Sequence, residues 1–101
     1  MNIIEMEKKL EENSLIEAHV EGTVKKYIKG EKLFYNGEQV ENCTDVYGVY
    51  GLRDGKYCFF VTDSERGIPM RGRVYDTENE ACKALIERIS LEEEIYQDKN
   101  N

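Results

Sequence analysis

The sequence predicts a single α+β domain over residues 1–101. An antiparallel sheet of about 4–5 strands is packed by a long C-terminal helix, with a short helix at the N-terminus. Three observations lead there. Residues 46–76 place apolar runs between turn formers, as strands of one sheet do. Residues 77–89 carry an apolar stripe at helical spacing behind a capping signal. Two dipeptides that favour tight hairpins, Asn36-Gly37 and Asp54-Gly55, separate short apolar runs.

The elements follow in order. In residues 3–12, Ile3, Met6 and Leu10 share one helix face, and Asn13 is a stop suited to the left-handed cap conformation. Residues 14–29 are the least regular. Leu15, Ile16, Ala18 and Val20 fit a strand or an irregular arm, Gly22 interrupts any helix, and residues 23–29 fit a strand or a helical turn. Leu33-Phe34-Tyr35 is a short apolar strand, returned through Asn36-Gly37 as a polar edge strand over residues 38–41. Val46, Tyr47, Val49, Tyr50 and Leu52 suit a half-buried strand. Gly48 interrupts it, which points to a bulge or a close packing contact. Tyr57-Cys58-Phe59-Phe60-Val61 is apolar at every position, so this strand is expected in the middle of the sheet, covered on both faces. Residues 71–75 form the next strand. Thr77 with Glu80 makes a capping box, and Ala81, Cys82, Leu85, Ile86 and Ile89 form the buried stripe. Ser90 and Glu93 repeat the cap spacing, which predicts a kink or a restart there, and residues 98–101 are expected to fray.

Composition bounds the function. Fourteen basic residues against 21 acidic ones leave a net charge of −7, which argues against non-specific nucleic-acid binding and suits a basic partner. Of the 3 cysteines, Cys58 and Cys82 fall on apolar faces and Cys43 has no CxxC partner, so neither bridges nor a metal cluster are expected. His19 is the only histidine, and nothing places a nucleophile beside it. The chain is therefore read as non-enzymatic, with no cofactor and no metal. No signal-peptide pattern and no apolar run long enough for a membrane helix is visible, so a cytoplasmic protein without a membrane partner is expected.

Two features remain for recognition. Asp63-Ser64-Glu65-Arg66-Gly67 is a charge-rich turn at a strand end, followed by Arg71 and Arg73, and loops on a rigid sheet commonly carry binding residues. Its plain alternative is a turn whose Glu and Arg pair locally. The second feature is 7 tyrosines with no tryptophan, since tyrosine is enriched at protein interfaces. Strand alternation puts Tyr47 and Tyr50 on opposite faces, so both are not core by default. The candidate partner-binding residues are Asp54, Asp63, Glu65, Arg66 and Tyr47.

Over the pattern YCFFVTDSERGIPMRGRVYDTENEACKALIERI the chain resembles a family of small single-domain bacterial immunity proteins, encoded beside polymorphic or contact-dependent toxins. The matching pieces are the strand at residues 57–61, Glu65-Arg66-Gly67 after it, and Thr77-Glu78-Asn79-Glu80-Ala81-Cys82 opening the last helix. The resemblance covers roughly residues 46–96, and the family often has a tryptophan where this strand has Tyr57 or a neighbour. It implies a binding protein without enzymatic activity that covers the active domain of one cognate toxin. Many such toxins are basic, nuclease-type domains, to which an acidic inhibitor is steered electrostatically. The alternative function is a small structural or regulatory interaction domain, as a monomer or homodimer.

Overall fold

The computed structural model describes residues 1–66 and 69–100. Helix α1 (Ile3–Glu12) leads to a hairpin of β1 (Glu17–Val20) and β2 (Thr23–Tyr27). A 3-10 turn (Gly30–Lys32) and a ribbon of β3 (Phe34–Tyr35) and β4 (Glu38–Gln39) follow. Then come β5 (Val46–Gly51), β6 (Tyr57–Thr62), β7 (Pro69–Tyr75) and helix α2 (Glu78–Lys99). The main sheet has 5 strands in the order β1-β2-β5-β6-β7. It is antiparallel throughout except where β2 runs parallel to β5, with Lys26 opposite Val46 and Tyr27 opposite Tyr47. This is the α+β arrangement that the hydrophobic pattern predicts.

Both helices cover one face. Met6 and Leu10 of α1, and Ala81, Cys82, Leu85 and Ile89 of α2, pack with Ala18, Val20, Tyr47, Val49, Phe59 and Val61 from the strands. The start of α2 also holds the start of α1, since the Ile3 N–H donates to Glu78 at 2.8 Å. The second face is covered by the segment joining β2 to β5. A parallel pair needs a crossover. Here it carries Leu33 and Phe34 onto Val46 and Phe60, with Ile28, Cys43 and Tyr50 around them. The Phe34 and Tyr50 rings stack with centroids 3.9 Å apart. β6 is thus buried on both faces between β5 and β7, as its unbroken apolar run requires.

Several elements differ from the sequence reading. Residues 17–27 form a full hairpin. Its turn, Glu21-Gly22, has φ of 54° and 82°, the left-handed pair of a type I′ turn, so Gly22 makes a strand reversal. β3 and β4 pair with each other as a separate ribbon rather than joining the main sheet at its edge. Asn13 caps α1 with φ −101°, and the left-handed residue is Ser14 at φ 57°. α2 runs without interruption through Ser90 to Lys99, because Glu93 and Tyr96 in its second half hold His19 of β1. The Gly48 interruption is a packing contact: a Cβ there would lie 2.3 Å from the Ile28 carbonyl oxygen and 3.1 Å from the Phe60 ring.

Candidate functional site

The sheet has two ends, and the candidate residues divide between them. At the β5–β6 turn, Gly55 takes φ 85° and the Asp54 carboxylate accepts the Lys56 N–H at 3.1 Å. At the other end of β6, the loop entering β7 holds Asp63, Glu65 and Arg66. A six-residue strand separates the two ends by about 20 Å, so Asp54 is not part of the same cluster. Tyr47 belongs to neither. It has 0% exposure, and its hydroxyl donates to the Leu15 carbonyl, so it has no surface to offer a partner. The parallel pairing of β2 with β5 places it under both helices, a placement that strand alternation alone leaves open.

The β6–β7 loop is anchored from below. A β-bulge between Val61 and Thr62 ends the regular ladder. The fully buried Thr62 hydroxyl accepts the Val46 N–H at 3.0 Å. Lys25, 2% exposed, donates from Nζ to the Thr62 carbonyl and to Asp45 Oδ1, each at 2.8 Å. The Ser64 hydroxyl donates to the same Asp45 oxygen at 2.7 Å, and the Asp45 N–H donates to the Asp63 carbonyl at 3.1 Å. Asp63 then turns the chain: its Oδ1 accepts the N–H groups of Glu65 at 3.2 Å and Arg66 at 2.8 Å. The hydrogen bond from Lys25, then that from Ser64, hold the Asp45 carboxyl below its usual range, against the opposing effect of burial.

This arrangement brings Asp63, Glu65 and Arg66 together and gives them different tasks. Asp63 is half-buried and shapes the loop, whereas the Glu65 and Arg66 side chains are exposed and join no ion pair among the described residues. The local Glu–Arg pairing that a plain turn would use is therefore absent among those residues. Arg73 lies farther along β7, with its guanidinium 5.6 Å from the Tyr75 ring centroid, and the Arg71 side chain lies outside what is described. Lys25 and Asp45 carry no local sequence signal for their pairing. A buried lysine inside Thr23-Val24-Lys25-Lys26-Tyr27 looks like an exposed one until the β2–β5 pairing is known.

The nucleophile candidates are occupied in other ways. His19 is half-buried, stacked on Tyr96 with centroids 3.5 Å apart and planes 2° from parallel, and its Nδ1 lies 2.9 Å from Glu93 Oε1. The same carboxylate accepts the His19 N–H at 2.9 Å, so the pair fastens α2 to β1. Burial pushes the Cys58 thiol up, and burial followed by Glu78 pushes Cys82 up to about 11, which keeps both protonated and poorly nucleophilic at neutral pH. Among the described residues, no group of 3 or more His, Cys, Asp and Glu side chains is placed to hold a metal, and no helix is long and apolar enough to cross a membrane. No family model, curated protein or solved structure matches the chain.

Proposed function

We propose that this chain is a non-enzymatic binding protein that neutralises a cognate bacterial toxin by covering its active domain, with the β6–β7 loop as part of the contact surface. The observation that carries the reading is the loop itself. Glu65 and Arg66 are presented, without partners among the described residues, on a turn tied through Asp63 and Asp45 to a buried lysine. Pre-organised charged groups bind at lower entropic cost than mobile ones. The net charge of −7 supports a basic partner, for which acidity raises the association rate. The resemblance over residues 46–96 supports the toxin as that partner.

The test is a pull-down of the tagged protein against the products of its neighbouring genes at low and moderate salt, repeated with Glu65→Lys and Arg66→Glu. The expected result is one stoichiometric partner whose toxicity is suppressed, with binding weakened at least about tenfold in the variants and their thermal unfolding unchanged. The same wild-type binding in both variants would remove the loop from the interface. No partner, together with a homodimer by light scattering, would favour the structural or regulatory domain instead.

A further inference from the structure

The two edges of the sheet are treated differently. At the β1 edge, α2 supplies carboxylates to the hairpin: Glu93 accepts the His19 N–H of the strand at 2.9 Å and Glu92 accepts the Glu21 N–H of its turn at 2.7 Å. An edge covered in this way does not template further strands. β7, the other edge, has no strand pairing on its outer side among the described residues. The hydrogen-bond phase shows which of its groups are free. Leu52 donates to Lys56 at 2.7 Å, so the residues of β6 that bond to β5 are Cys58 and Phe60, opposite Tyr50 and Gly48. Tyr57 and Phe59 then bond to Tyr75 and Arg73, and alternation turns the backbone N–H and C=O of Gly72 and Val74 outward. Gly72, Arg73 and Val74 are all exposed, Val74 at 53%.

Beside this edge lies a groove. α2 begins just after β7 and crosses the sheet to β1, leaving a wedge of about 480 Å³ between its flank and β7. Phe59 and Val61 lie at its floor, Ala84 and the 54% exposed Leu91 on the α2 wall, and Arg73 and Tyr75 on the β7 wall. Of its charged groups, Arg88 is engaged by Glu21 and Glu92. Arg73 on the strand side and Glu87 on the helix side have no ion-pair partner among the described residues. A strand laid against β7 meets the guanidinium side of the groove.

We propose that the outer edge of β7 is a docking site for an extended segment of a partner protein, which adds to the sheet as a sixth strand beside residues 72–74, sets a carboxylate against Arg73 and turns an apolar side chain two residues away into the groove over Phe59 and Val61. Main-chain bonds to Gly72 and Val74 supply affinity, and the two groove-facing side chains supply selectivity. A second copy of the chain is the poorer occupant. Antiparallel pairing of two β7 strands about their centre keeps the α2 sides together and brings Arg73 beside or diagonal to its own copy, a like-charge contact. The inference stands apart from the toxin reading, since it concerns any segment of this chemistry.

The probe is a capped seven-residue peptide alternating threonine with leucine, glutamate and leucine, with a control carrying lysine for glutamate. It is titrated into the full-length ¹⁵N-labelled protein by NMR. Saturable shifts at Gly72, Val74 and Phe59, with affinity lowered about tenfold for the lysine peptide and for Arg73→Glu, are expected. Val74→Pro removes one outward N–H without touching the ladder to β6, and should weaken binding to a similar degree. Both positions are exposed, and the amide spectrum of each variant reports whether its fold is kept. No saturable shift at millimolar peptide, equal binding of the lysine control, shifts confined to Leu91 and Ile95, or peptide-free dimerisation through β7 would each overturn the proposal. The probe contains no toxin sequence, so its failure leaves the toxin reading intact, and the reverse holds too.

Discussion

Lys25 shows how one side chain sets the geometry of a surface it does not reach. Its ammonium is buried against Asp45 and the Thr62 carbonyl, and a buried cation that loses its counter-charge is costly. Asp45 sits at φ 56°, which asparagine tolerates as well as aspartate. Asp45→Asn therefore removes the charge with little change of shape. It should lower the unfolding free energy by about 2–3 kcal/mol, less than for a wholly buried pair because Asp45 is partly exposed, as read from urea midpoints at pH 7. The same groups set the acid limit. The Asp45 carboxyl is held low by Lys25 and Ser64. Burial opposes ionisation of Glu93, yet the bonds from the His19 ring, the His19 N–H and Gln97 outweigh it and hold that carboxyl low too. A carboxyl lowered in the folded state contributes stability that is fully present above its unfolded value, about 4, and is lost as pH falls through the folded value. The part of the stability held by these two carboxyls should thus be lost as pH falls below about 4, and Asp45→Asn should make that fall shallower.

α2 is longer than its own stripe requires. The stripe from Ala81 to Ile89 buries one face on the sheet, after which Leu91 and Ile95 are exposed. What extends the helix is polar: Glu93 bonds the outward N–H of His19 in β1, Glu92 bonds the N–H of Glu21 in the turn after it, and Tyr96 stacks on His19. Those tertiary bonds override the second capping signal at Ser90, so no break forms. Glu93→Ala should leave the fold intact and raise hydrogen exchange at the His19 amide about tenfold, because that N–H then opens to solvent. An unchanged rate would mean that the helix guards the edge by bulk alone. The type I′ turn at Glu21-Gly22 belongs to the same scale. A glycine flanked by charged and β-branched residues gives a break signal in the sequence, and only the pairing of Val20 with Thr23 shows that it is a hairpin.

The whole molecule is a sheet with two covers of unequal kind, helices on one face and a small crossover on the other. Phe60 is fully buried under the crossover, with the Phe34 ring centroid 5.0 Å and the Tyr50 centroid 5.7 Å away. Phe60→Ala should cost about 3–5 kcal/mol by calorimetry or denaturant titration, as truncation of a closed aromatic core does. Val40→Ala, at a side chain 58% exposed, should change stability by less than about 0.5 kcal/mol. Equal effects would mean that the crossover is not a true second core.

Elements with local signals are legible from residue order alone. The apolar run of β6, the Asn36-Gly37 and Asp54-Gly55 turns, the Thr77–Glu80 cap and the α2 stripe each depend on residues a few positions apart, and periodicity or turn chemistry reads them directly. The loop carrying Asp63, Glu65 and Arg66 was legible for the same reason, as a charge-rich turn between two strands. The folded packing alone shows that Tyr47 is core and that Lys25 reaches Asp45 and Thr62. These facts follow from the parallel pairing of β2 with β5 across the crossover. A pairing between segments some 20 residues apart leaves no periodic trace in either, so burial of a lysine or a tyrosine there is settled by what the fold lays over it.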